Sequence, residues 1–335
     1  MNIAINGFGR IGRAAFKILS EKKGVAVVAI NDLGSPENLA YLLKYDTVYG
    51  VWDKKISYAN GWLKVGSKKI KVLSEREPKR LPWKKMKIDV VIESTGVFTN
   101  SNGMALHKKA GAKRVILSAP AKGNDVPTVV RGVNDDAHPD ASMVSNASCT
   151  TNCVAPVTRV LDEAFGIERA GLTTIHAYTS GQGLVDGPAP SRKTDFRRGR
   201  ASAVNMIPTT TGAAHATTKT IPSLEGLFDG FAVRVPVTAG SLSDMTFLVK
   251  KKTNVEKVNA ALKRAARGKL KGILECNEDQ IVSSDIVGTT ASAIVDLNFT
   301  RVTGGDFIKI LAWYDNEWAY ANRLAEMTIA LGKSK

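Results

Sequence analysis

The sequence of 335 residues predicts two domains, an α/β domain with an open parallel sheet followed by an α+β domain with an antiparallel sheet. In the first half, short apolar strands alternate with helical runs, which is typical of parallel α/β units. After residue 170 the predicted strands become longer and richer in β-branched and aromatic residues, which favours antiparallel pairing. We expect the first domain at 1–148, completed by a C-terminal helix in 316–335, and the second at 149–315.

The composition predicts an ordinary globular protein that stays in the cytoplasm. Apolar residues make up 44% and charged residues 23% of the chain, and no apolar run approaches the about 20 residues that span a membrane. The N-terminus lacks the features of a signal peptide. Cys149, Cys153 and Cys276 are too few for a disulfide framework and are not spaced as zinc ligands, so we expect reduced thiols and no metal.

The net charge of +16 indicates an affinity for anions, which include nucleic acids, membrane surfaces and anionic metabolites. The basic residues are scattered in pairs and triplets, and no basic tail or stripe interleaved with aromatic residues is present. This pattern favours a solvated basic surface that concentrates anionic substrates. Nucleic-acid binding stays open as a secondary activity, and it would weaken steeply with salt.

The N-terminal segment carries a dinucleotide-binding pattern. A predicted strand runs directly into residues 7–12, Gly-Phe-Gly-Arg-Ile-Gly, and a helical run follows. Gly7 permits the tight turn, Gly9 lets a pyrophosphate approach the backbone, and Gly12 lets the helix pack on the strand. Asp32, at the end of the next strand, accepts hydrogen bonds from ribose hydroxyls and repels a 2′-phosphate. The pattern predicts a Rossmann domain that prefers NAD to NADP.

Polar side chains also follow two later strands of this domain. Ser94 and Thr95 come after the predicted strand 88–92, and Ser118 comes after the strand 114–117. Open parallel sheets bind ligands beyond the carboxyl ends of their strands. These residues are therefore candidates for the nicotinamide side of the site, with ordinary loop residues as the alternative.

Residues 146–153, Asn-Ala-Ser-Cys-Thr-Thr-Asn-Cys, indicate a reactive cysteine. They place Cys149 between a strand-like run at 142–146 and a helix predicted from Thr151 onward. Unpaired amides and the positive end of the dipole at a helix start favour the thiolate, so we expect a thiol pKa below the ordinary value of about 8.5. The alternative is a buried cysteine that acts as a small hydrophobic residue.

A cysteine nucleophile needs a neighbouring base, and the chain offers four histidines. His107 lies in a basic helical run and His138 in a turn, so both are predicted at the surface, and His215 has no assigned role. His176, in the predicted strand 173–178, is the best-placed base, with a purely structural histidine as the alternative.

Three segments of the second half suit anions. The long loop 180–203 contains the basic residues Arg192, Lys193, Arg197, Arg198 and Arg200. Residues 208–212, Pro-Thr-Thr-Thr-Gly, offer hydroxyls and free amides before a predicted helix, as either an anion site or an ordinary cap. Arg234 lies in the apolar strand 231–237 and needs a partner there, which a phosphate or a structural ion pair would provide.

Taken together, these motifs closely resemble the phosphorylating glyceraldehyde-3-phosphate dehydrogenase family over essentially the whole chain. The matching segments are 6–13, 31–32, 93–96, 147–153, 176–179, 211–214, 233–236 and 313–318. The resemblance implies NAD-dependent conversion of D-glyceraldehyde 3-phosphate and inorganic phosphate into 1,3-bisphosphoglycerate through a cysteine thioester.

The resemblance also implies roles for individual residues. Cys149 is the nucleophile, and His176 activates it. Besides the glycines of the 7–12 motif, the implied NAD contacts are Arg10, Ile11, Asp32, Arg76, Ser118 and Asn316. The implied ligands of the substrate C3 phosphate are Thr179 and Arg234, and those of inorganic phosphate are Ser148, Thr150, Thr211 and Gly212. One arginine of the Arg197-Arg198 pair should lie nearby, and Arg197, which follows Phe196, fits the family pattern better.

The implied assembly is a homotetramer in which the 180–203 loop contacts the NAD site of a neighbouring subunit. This loop departs from the family, with Ser180-Gly181-Gln182 at its start and a few additional residues. Two related activities are alternatives. The intact Thr-Thr-Thr-Gly segment disfavours an erythrose-4-phosphate dehydrogenase, and an aspartate-semialdehyde dehydrogenase would not need two phosphate sites.

Overall fold

The computed structural model describes residues 1–189 and 195–333, which form two compact units. The first contains 1–129, 136–147 and the chain from 321 onward, and the second contains 130–135 and 148–320. Arg192 and Lys193 of the basic loop lie outside the described residues. In the described part of the chain, no helix is both long and apolar enough to cross a membrane.

The first unit is built on one eight-stranded sheet with helices around it. Its elements are β1 (Asn2–Asn6), α1 (Arg10–Ser20), β2 (Ala26–Asn31), α2 (Pro36–Lys44), β3 (Tyr45–Asp46), β4 (Gly50–Val51), β5 (Ile56–Ala59), β6 (Trp62–Val65), β7 (Lys68–Leu73), β8 (Val90–Glu93), α3 (Ser101–Lys109), β9 (Arg114–Leu117) and β10 (Met143–Ser145). The order is β10-β9-β8-β1-β2-β7-β6-β5. Strands β10 through β7 of this order pair in parallel, and β6 and β5 continue the sheet antiparallel.

The strand register brings three loops to one edge of this sheet. Asn6 at the end of β1 lies opposite Asn31 of β2 on one side and Glu93 of β8 on the other. The residues that follow these strands therefore meet beyond the carboxyl edge, where a parallel sheet binds its ligands. Residues of β1 and β8 such as Ile5 and Val91 are fully buried, as expected for strands covered on both faces.

The second unit is built on a seven-stranded sheet. Its elements are α4 (Cys149–Phe165), β11 (Ile167–Ala177), β12 (Ile207–Thr210), α5 (Ala213–Thr220), β13 (Phe228–Val235), β14 (Ser241–Val249), α6 (Val255–Arg267), β15 (Leu274–Asn277), β16 (Ala293–Thr303), β17 (Phe307–Tyr314) and α7 (Trp318–Lys333), whose residues from 321 onward belong to the first unit. The order is β12-β13-β11-β14-β17-β16-β15. Two pairings, β11 with β13 and β15 with β16, are parallel, and the other four are antiparallel. The predicted combination of a Rossmann domain with an α+β domain is confirmed.

Alternation along β11 decides which side of this sheet His176 faces. Leu172, Thr174 and His176 are buried, and residues two apart on a strand point to the same face. Leu172 packs in the apolar core together with Val157 of α4. His176 therefore faces the side of the sheet that α4 covers.

His107 is buried, so its predicted surface position is wrong. Trp83 Nε1 donates to His107 Nδ1 at 3.1 Å, which leaves the ring proton on Nε2, 2.9 Å from Glu93 Oε2. Asn6 Nδ2 donates to the same carboxylate oxygen at 2.6 Å. The basic residues beside His107 led to the prediction of an exposed position. However, His107 and Met104 lie three residues apart on the inner face of α3. His138 is exposed, as predicted.

Replacing His107 by leucine should destabilise the first unit. The variant leaves the Trp83 N–H without an acceptor and removes one donor from Glu93, and each unsatisfied buried group costs about 1–3 kcal/mol. Because Asn6 still donates to Glu93 Oε2, only the Trp83 N–H is left unsatisfied, and we expect the free energy of unfolding in urea to fall by about 1–3 kcal/mol. His138→Leu, at an exposed position, should change it by no more than about 0.5 kcal/mol. Equal stability of the two variants would contradict a structural role for the His107 hydrogen bonds.

Candidate active site

The candidate active site begins at the N-terminus of α4. Ser148 is the N-cap, and its hydroxyl accepts a hydrogen bond from the Thr151 amide at 3.1 Å. Cys149 is the first helical residue, so the helix begins two residues earlier than the sequence predicted. Its side chain is partly buried. Ala147, just before the cap, has a φ of 55°, a left-handed conformation that residues with a Cβ rarely adopt. Local strain of this kind is concentrated at functional sites.

Cys149 and His176 lie within hydrogen-bond distance, with 3.4 Å between Sγ and Nε2. Burial raises the pKa of the Cys149 thiol, although the Arg234 charge and bonds from Thr150 oppose the rise. The predicted lowering of this pKa is therefore wrong for the resting chain, because burial outweighs the helix amides. Burial, together with the charges of Arg234 and Arg198, lowers the pKa of His176 to about 3. Burial thus opposes the charged form of both side chains.

Two neighbouring strands bring His176 and Arg234 together. Strands β11 and β13 run in parallel, and His176 lies directly opposite Arg234 in their register. Arg234 Nη1 lies 2.6 Å from His176 Nδ1 and donates to the Ala177 carbonyl at 2.9 Å. The same carbonyl oxygen lies 2.6 Å from His176 Nδ1. The parallel pairing, which the sequence did not predict, is thus the reason why a cation adjoins the candidate base.

Tyr314 packs against His176, and no role was predicted for Tyr314 from the sequence. Its ring packs edge-on against the imidazole, with 6.0 Å between centroids. Its hydroxyl bonds to the hydroxyls of Thr150 at 2.9 Å and Thr174 at 2.8 Å. Burial raises the pKa of Tyr314, so the phenol keeps its proton. The Thr150 hydroxyl, which the resemblance assigned to inorganic phosphate, is engaged by Tyr314 here.

Of the two adjacent arginines, Arg198 lies on the side of His176 and Arg234. The Arg198 charge lowers the pKa values of His176 and Arg234, although burial and other charges have larger effects. Arg197, in contrast, is exposed and forms a 2.8 Å ion pair with Asp195. The sequence favoured Arg197 as the phosphate ligand. The short 3₁₀ turn over 196–199 directs the side chains of Arg197 and Arg198 apart, and Arg197 is bound to Asp195. Arg198 therefore lies closer than Arg197 to the surroundings of His176 and Arg234, and the phosphate contact of either arginine stays a prediction.

The two inner arginines have the chemistry of an anion clamp. The Nε atoms of Arg234 and Arg198 are buried and have no hydrogen-bond partner among the described residues. A β-carbon on Gly181 would lie 3.8 Å from Arg198 Nη2 and 4.0 Å from Thr179 Oγ1, so Thr179 and Arg198 flank the same glycine. Guanidinium groups with free N–H donors favour phosphate or carboxylate oxygens.

The predicted inorganic phosphate segment ends at the start of α5. Thr210 closes β12, and the Thr211 hydroxyl accepts a bond from the Ala213 amide at 3.2 Å. Gly212 is the N-cap and provides no side chain to satisfy the helix amides. A β-carbon on Gly212 would meet no atom of the described residues within 4 Å, which leaves room for a ligand at this position.

In the first unit, the glycine motif fits a dinucleotide. Gly9 is the N-cap of α1, which has no side-chain cap and no acidic residue in its first turn. A β-carbon on Gly9 would meet no atom within 4 Å, so its side is open to a pyrophosphate. In contrast, a β-carbon on Gly7 would lie 2.7 Å from backbone atoms of Ser94 and Thr95, and one on Gly12 would collide with the Gly7 carbonyl. The surroundings of Gly7 and Gly12 agree with the predicted turn and close packing, and the pyrophosphate contact of Gly9 stays a prediction.

Other predicted cofactor residues occupy varied surroundings. Asp32 accepts from the amides of Phe8 at 2.6 Å and Gly34 at 2.8 Å, which fixes its carboxylate and leaves further lone pairs. The buried Ser118 hydroxyl has no partner among the described residues, as expected for a ligand contact. Arg10 pairs with Asp46 at 2.6 Å. Ile11 is partly buried, and Arg76 is exposed.

Asn316, in the second unit, is tied to the strand that carries His176. The Ser241 hydroxyl donates to Asn316 Oδ1 at 2.9 Å and accepts from the Ala177 amide at 3.1 Å. The sequence gave no signal for Ser241, because its partners are 64 and 75 residues away along the chain. The Ser241 hydroxyl thus orients the Asn316 carboxamide through a hydrogen bond with Ala177, the residue that follows His176.

The depressed pKa of His176 predicts a specific loss of stability in acid. The ring has a pKa of about 3 in the folded chain against 6.5 ordinarily, so the unfolded chain binds more protons between these values. Stability present above pH 6.5 is therefore lost as the pH falls, by at most about 1.4 kcal/mol per pH unit. Urea unfolding from about pH 7 to pH 4 should show a flatter dependence for His176→Gln. The exposed His138→Gln should keep the original slope, and equal slopes for both variants would contradict the assignment.

Comparisons with known proteins identify the family. The model of the glyceraldehyde 3-phosphate dehydrogenase NAD binding domain matches residues 1–101, and that of the C-terminal domain of the same enzyme matches residues 148–316. The glyceraldehyde-3-phosphate dehydrogenase of Streptomyces coelicolor is 50% identical, over 99% of this chain and 98% of the relative. That of Thermotoga maritima is 51% identical, over 97% of each chain. This chain belongs to the glyceraldehyde-3-phosphate dehydrogenase family.

Proposed function

We propose that the chain catalyses the NAD-dependent oxidation and phosphorylation of D-glyceraldehyde 3-phosphate to 1,3-bisphosphoglycerate, in glycolysis or gluconeogenesis. The observation that carries the proposal is the 3.4 Å approach of Cys149 Sγ to His176 Nε2, beside two arginines with free N–H groups. A nucleophile, a base and a clamp for a dianion are the parts this reaction requires. Family membership supports the same assignment.

The oxidation begins at the Cys149 sulfur. His176 Nε2 takes the thiol proton, the sulfur attacks the aldehyde carbon, and the proton passes to the new hydroxyl of the hemithioacetal. Amides at the start of α4 stabilise the developing oxyanion. His176 then takes the hydroxyl proton as the carbon becomes a thioester. A NAD molecule held by the first unit would supply the acceptor for the hydride that leaves this carbon.

The second half-reaction transfers the acyl group to inorganic phosphate. A phosphate oxygen attacks the thioester carbon, the carbon–sulfur bond breaks, and Cys149 leaves as the thiolate. Ser148, Thr211 and Gly212 would hold the attacking phosphate through hydroxyls and helix amides. Thr150 would contribute by positioning Tyr314, to which its hydroxyl is bonded. The covalent thioester preserves the free energy of oxidation that hydrolysis would release.

We assign the C3 phosphate of the substrate to Arg234, Arg198 and Thr179. The unpartnered Nε atoms of the two arginines support the assignment, since a phosphate dianion satisfies both. Arg198 replaces Arg197 in this proposal, because Asp195 already pairs with Arg197 at the surface.

The proposed cofactor is NAD, held by the first unit. Gly9 and the amides of Arg10 and Ile11 would bind the pyrophosphate at the start of α1, where Gly7 allows the turn and Gly12 the close packing of the helix. Asp32 would bind the ribose hydroxyls and repel a 2′-phosphate. Further contacts are proposed for Arg76, Ser118 and Asn316.

We propose a cytoplasmic homotetramer. One segment exposes several large apolar side chains, each by more than 70%, and a neighbouring subunit would cover them: Leu184, Val185, Phe196, Val204 and Met206. This segment includes most of the loop that the resemblance assigns to a subunit contact. The three free cysteines support a reducing compartment.

Phosphate dependence tests the function directly. With D-glyceraldehyde 3-phosphate and NAD, we expect sustained NADH formation only when inorganic phosphate is present, and a single burst per site without it. Cys149→Ser should abolish both, because the hydroxyl is a far weaker nucleophile. Cys276→Ser, which alters a cysteine far from His176 in the sheet order, should retain turnover. Equal turnover without phosphate would mean that water resolves the thioester, and it would remove the roles of Ser148 and Thr211.

The arginine pair offers a matched test of the C3 phosphate site. Arg198→Leu should lower kcat/KM for D-glyceraldehyde 3-phosphate by about 10- to 100-fold, since hydrogen bonds between charged groups are worth about 1.5–3 kcal/mol. Arg197→Leu should stay within about threefold, because an exposed ion pair is worth about 0–1 kcal/mol. With glyceraldehyde, which lacks the phosphate, both variants should approach the unchanged chain. A larger loss for Arg197→Leu would reverse the assignment.

A further inference from the structure

A buried carboxylate lies at the carboxyl edge of the first sheet, and the proposed chemistry does not use it. Glu93, the last residue of β8, has a fully buried side chain. Its Oε2 accepts from Asn6 Nδ2 at 2.6 Å and from His107 Nε2 at 2.9 Å. Its Oε1 accepts from the Thr95 amide at 2.8 Å and from the Thr95 hydroxyl. A carboxylate is tolerated inside a protein when hydrogen-bond donors surround it in this way.

The direction of these hydrogen bonds is fixed by groups that only donate or only accept. The Trp83 N–H donates to His107 Nδ1, which requires a lone pair there and leaves the ring proton on Nε2, facing Glu93. An ionised carboxylate only accepts, so the Asn6 carboxamide turns its NH₂ group toward Glu93 and its oxygen away. The two donors on Oε2, Asn6 Nδ2 and His107 Nε2, lie 3.4 Å apart.

The direction fixed at Glu93 passes through Asn6 to the neighbouring strand β2. Asn6 Oδ1 accepts from Asn31 Nδ2 at 2.7 Å. Asn31 Nδ2 also donates to the Glu75 carbonyl at 2.9 Å, and Asn31 Oδ1 accepts from the Glu75 amide at 2.8 Å. A reversed Asn31 carboxamide would place its NH₂ group against the Glu75 N–H. The Glu93 carboxylate therefore determines, through two asparagines, how the backbone of Glu75 is held.

The Glu93 network, formed by Glu93, His107, Asn6 and Asn31, holds backbone positions that directly precede the predicted cofactor residues. The pairs are Asn6 with Gly7, Asn31 with Asp32, Glu75 with Arg76, and Glu93 with Ser94. Consecutive Cα atoms are about 3.8 Å apart, so a shift of a held residue moves the residue that follows it. The network thus connects the ends of β1, β2 and β8 with the 75–77 segment.

We propose that the Glu93 network is a positioning device for the adenosine half of NAD, which sets the placement of Asp32 relative to the 75–77 segment. The proposal rests on the cofactor assignment made above, in which Asp32 binds the ribose hydroxyls. The side chains of Glu93, Asn6 and Asn31 are buried, so they act through the loops that they hold. Loops held in advance have less conformational freedom to lose when the dinucleotide binds.

Titration calorimetry with ADP-ribose tests the proposal, because this probe carries the adenosine half and the pyrophosphate but no nicotinamide. Asn31→Ala removes the anchor of Glu75. Glu93→Gln keeps the shape of the side chain, but its NH₂ group must face either the Thr95 N–H or the donors from Asn6 and His107. We expect each variant to raise the Kd by about tenfold or more, which corresponds to about 1.4 kcal/mol.

Trp83→Phe is the matched control. It alters a fully buried residue at the far end of the same hydrogen bonds, and it leaves the donors to Glu93 in place. The Kd for ADP-ribose should stay within about twofold, because the asparagines and Glu75 keep their partners. Urea unfolding of each variant establishes that it is folded under the conditions of the titration.

Turnover separates positioning from a general loss of structure. With D-glyceraldehyde 3-phosphate, Asn31→Ala and Glu93→Gln should raise the KM for NAD, while kcat at saturating NAD stays within about threefold. The KM for D-glyceraldehyde 3-phosphate should not change, because its proposed ligands lie in the second unit.

An ADP-ribose affinity that is unchanged in Asn31→Ala or in Glu93→Gln would overturn the proposal, and so would an equal loss in Trp83→Phe. Either of the first two variants is sufficient, so a folding defect in one leaves the test with the other. The titration requires no turnover. An active chain whose variants keep their affinity would therefore overturn this inference alone, whereas an unchanged chain that does not bind ADP-ribose would overturn the cofactor assignment as well.

Discussion

The buried guanidinium of Arg234 is the constraint on which the catalytic unit depends. From Phe231 to Val235 its strand is otherwise apolar, and its charge is met by a carbonyl and a ring nitrogen instead of a carboxylate. A cation held this way stabilises anions nearby: it opposes the effect of burial on the pKa of the Cys149 thiol, and it adds to the effect of burial in lowering the pKa of His176. An ion pair at this position would have removed that capacity, because the charge would already be spent on a protein partner.

The site is assembled from backbone features that each fix one side chain. The start of α4 presents Cys149, the parallel register of β11 and β13 sets His176 beside Arg234, and the end of β17 supplies Tyr314. Hydroxyl bonds from Tyr314 and Ser241 then hold this arrangement. Because several elements contribute, the geometry depends on the packing of the whole sheet and helix layer rather than on one flexible loop.

Local signals were enough to predict the parts of the fold that short segments encode. The glycine motif, Asp32 and the Cys149 helix are encoded within a few residues. The first two lie at the expected turn and strand end, and the helix is present but begins two residues before its predicted start. The surroundings of His107, Arg198 and Tyr314 depend on partners distant in the chain or on the direction of a turn, which periodicity cannot reveal. The raised thiol pKa was missed for the same reason, since burial is a property of the assembled unit.

The left-handed backbone conformation of Ala147 limits which residues can replace it. A conformation of this kind costs about 1–3 kcal/mol for a residue with a Cβ, and a β-branched side chain would be strained further. Glycine would relieve the strain, yet it would also widen the range of conformations open to the peptide before Ser148 and Cys149. Alanine at this position therefore costs some stability through backbone strain, but it restricts the conformation of the peptide that precedes Cys149. Because the Ala147 side chain is fully buried, this residue affects the placement of Cys149 through the backbone that joins them.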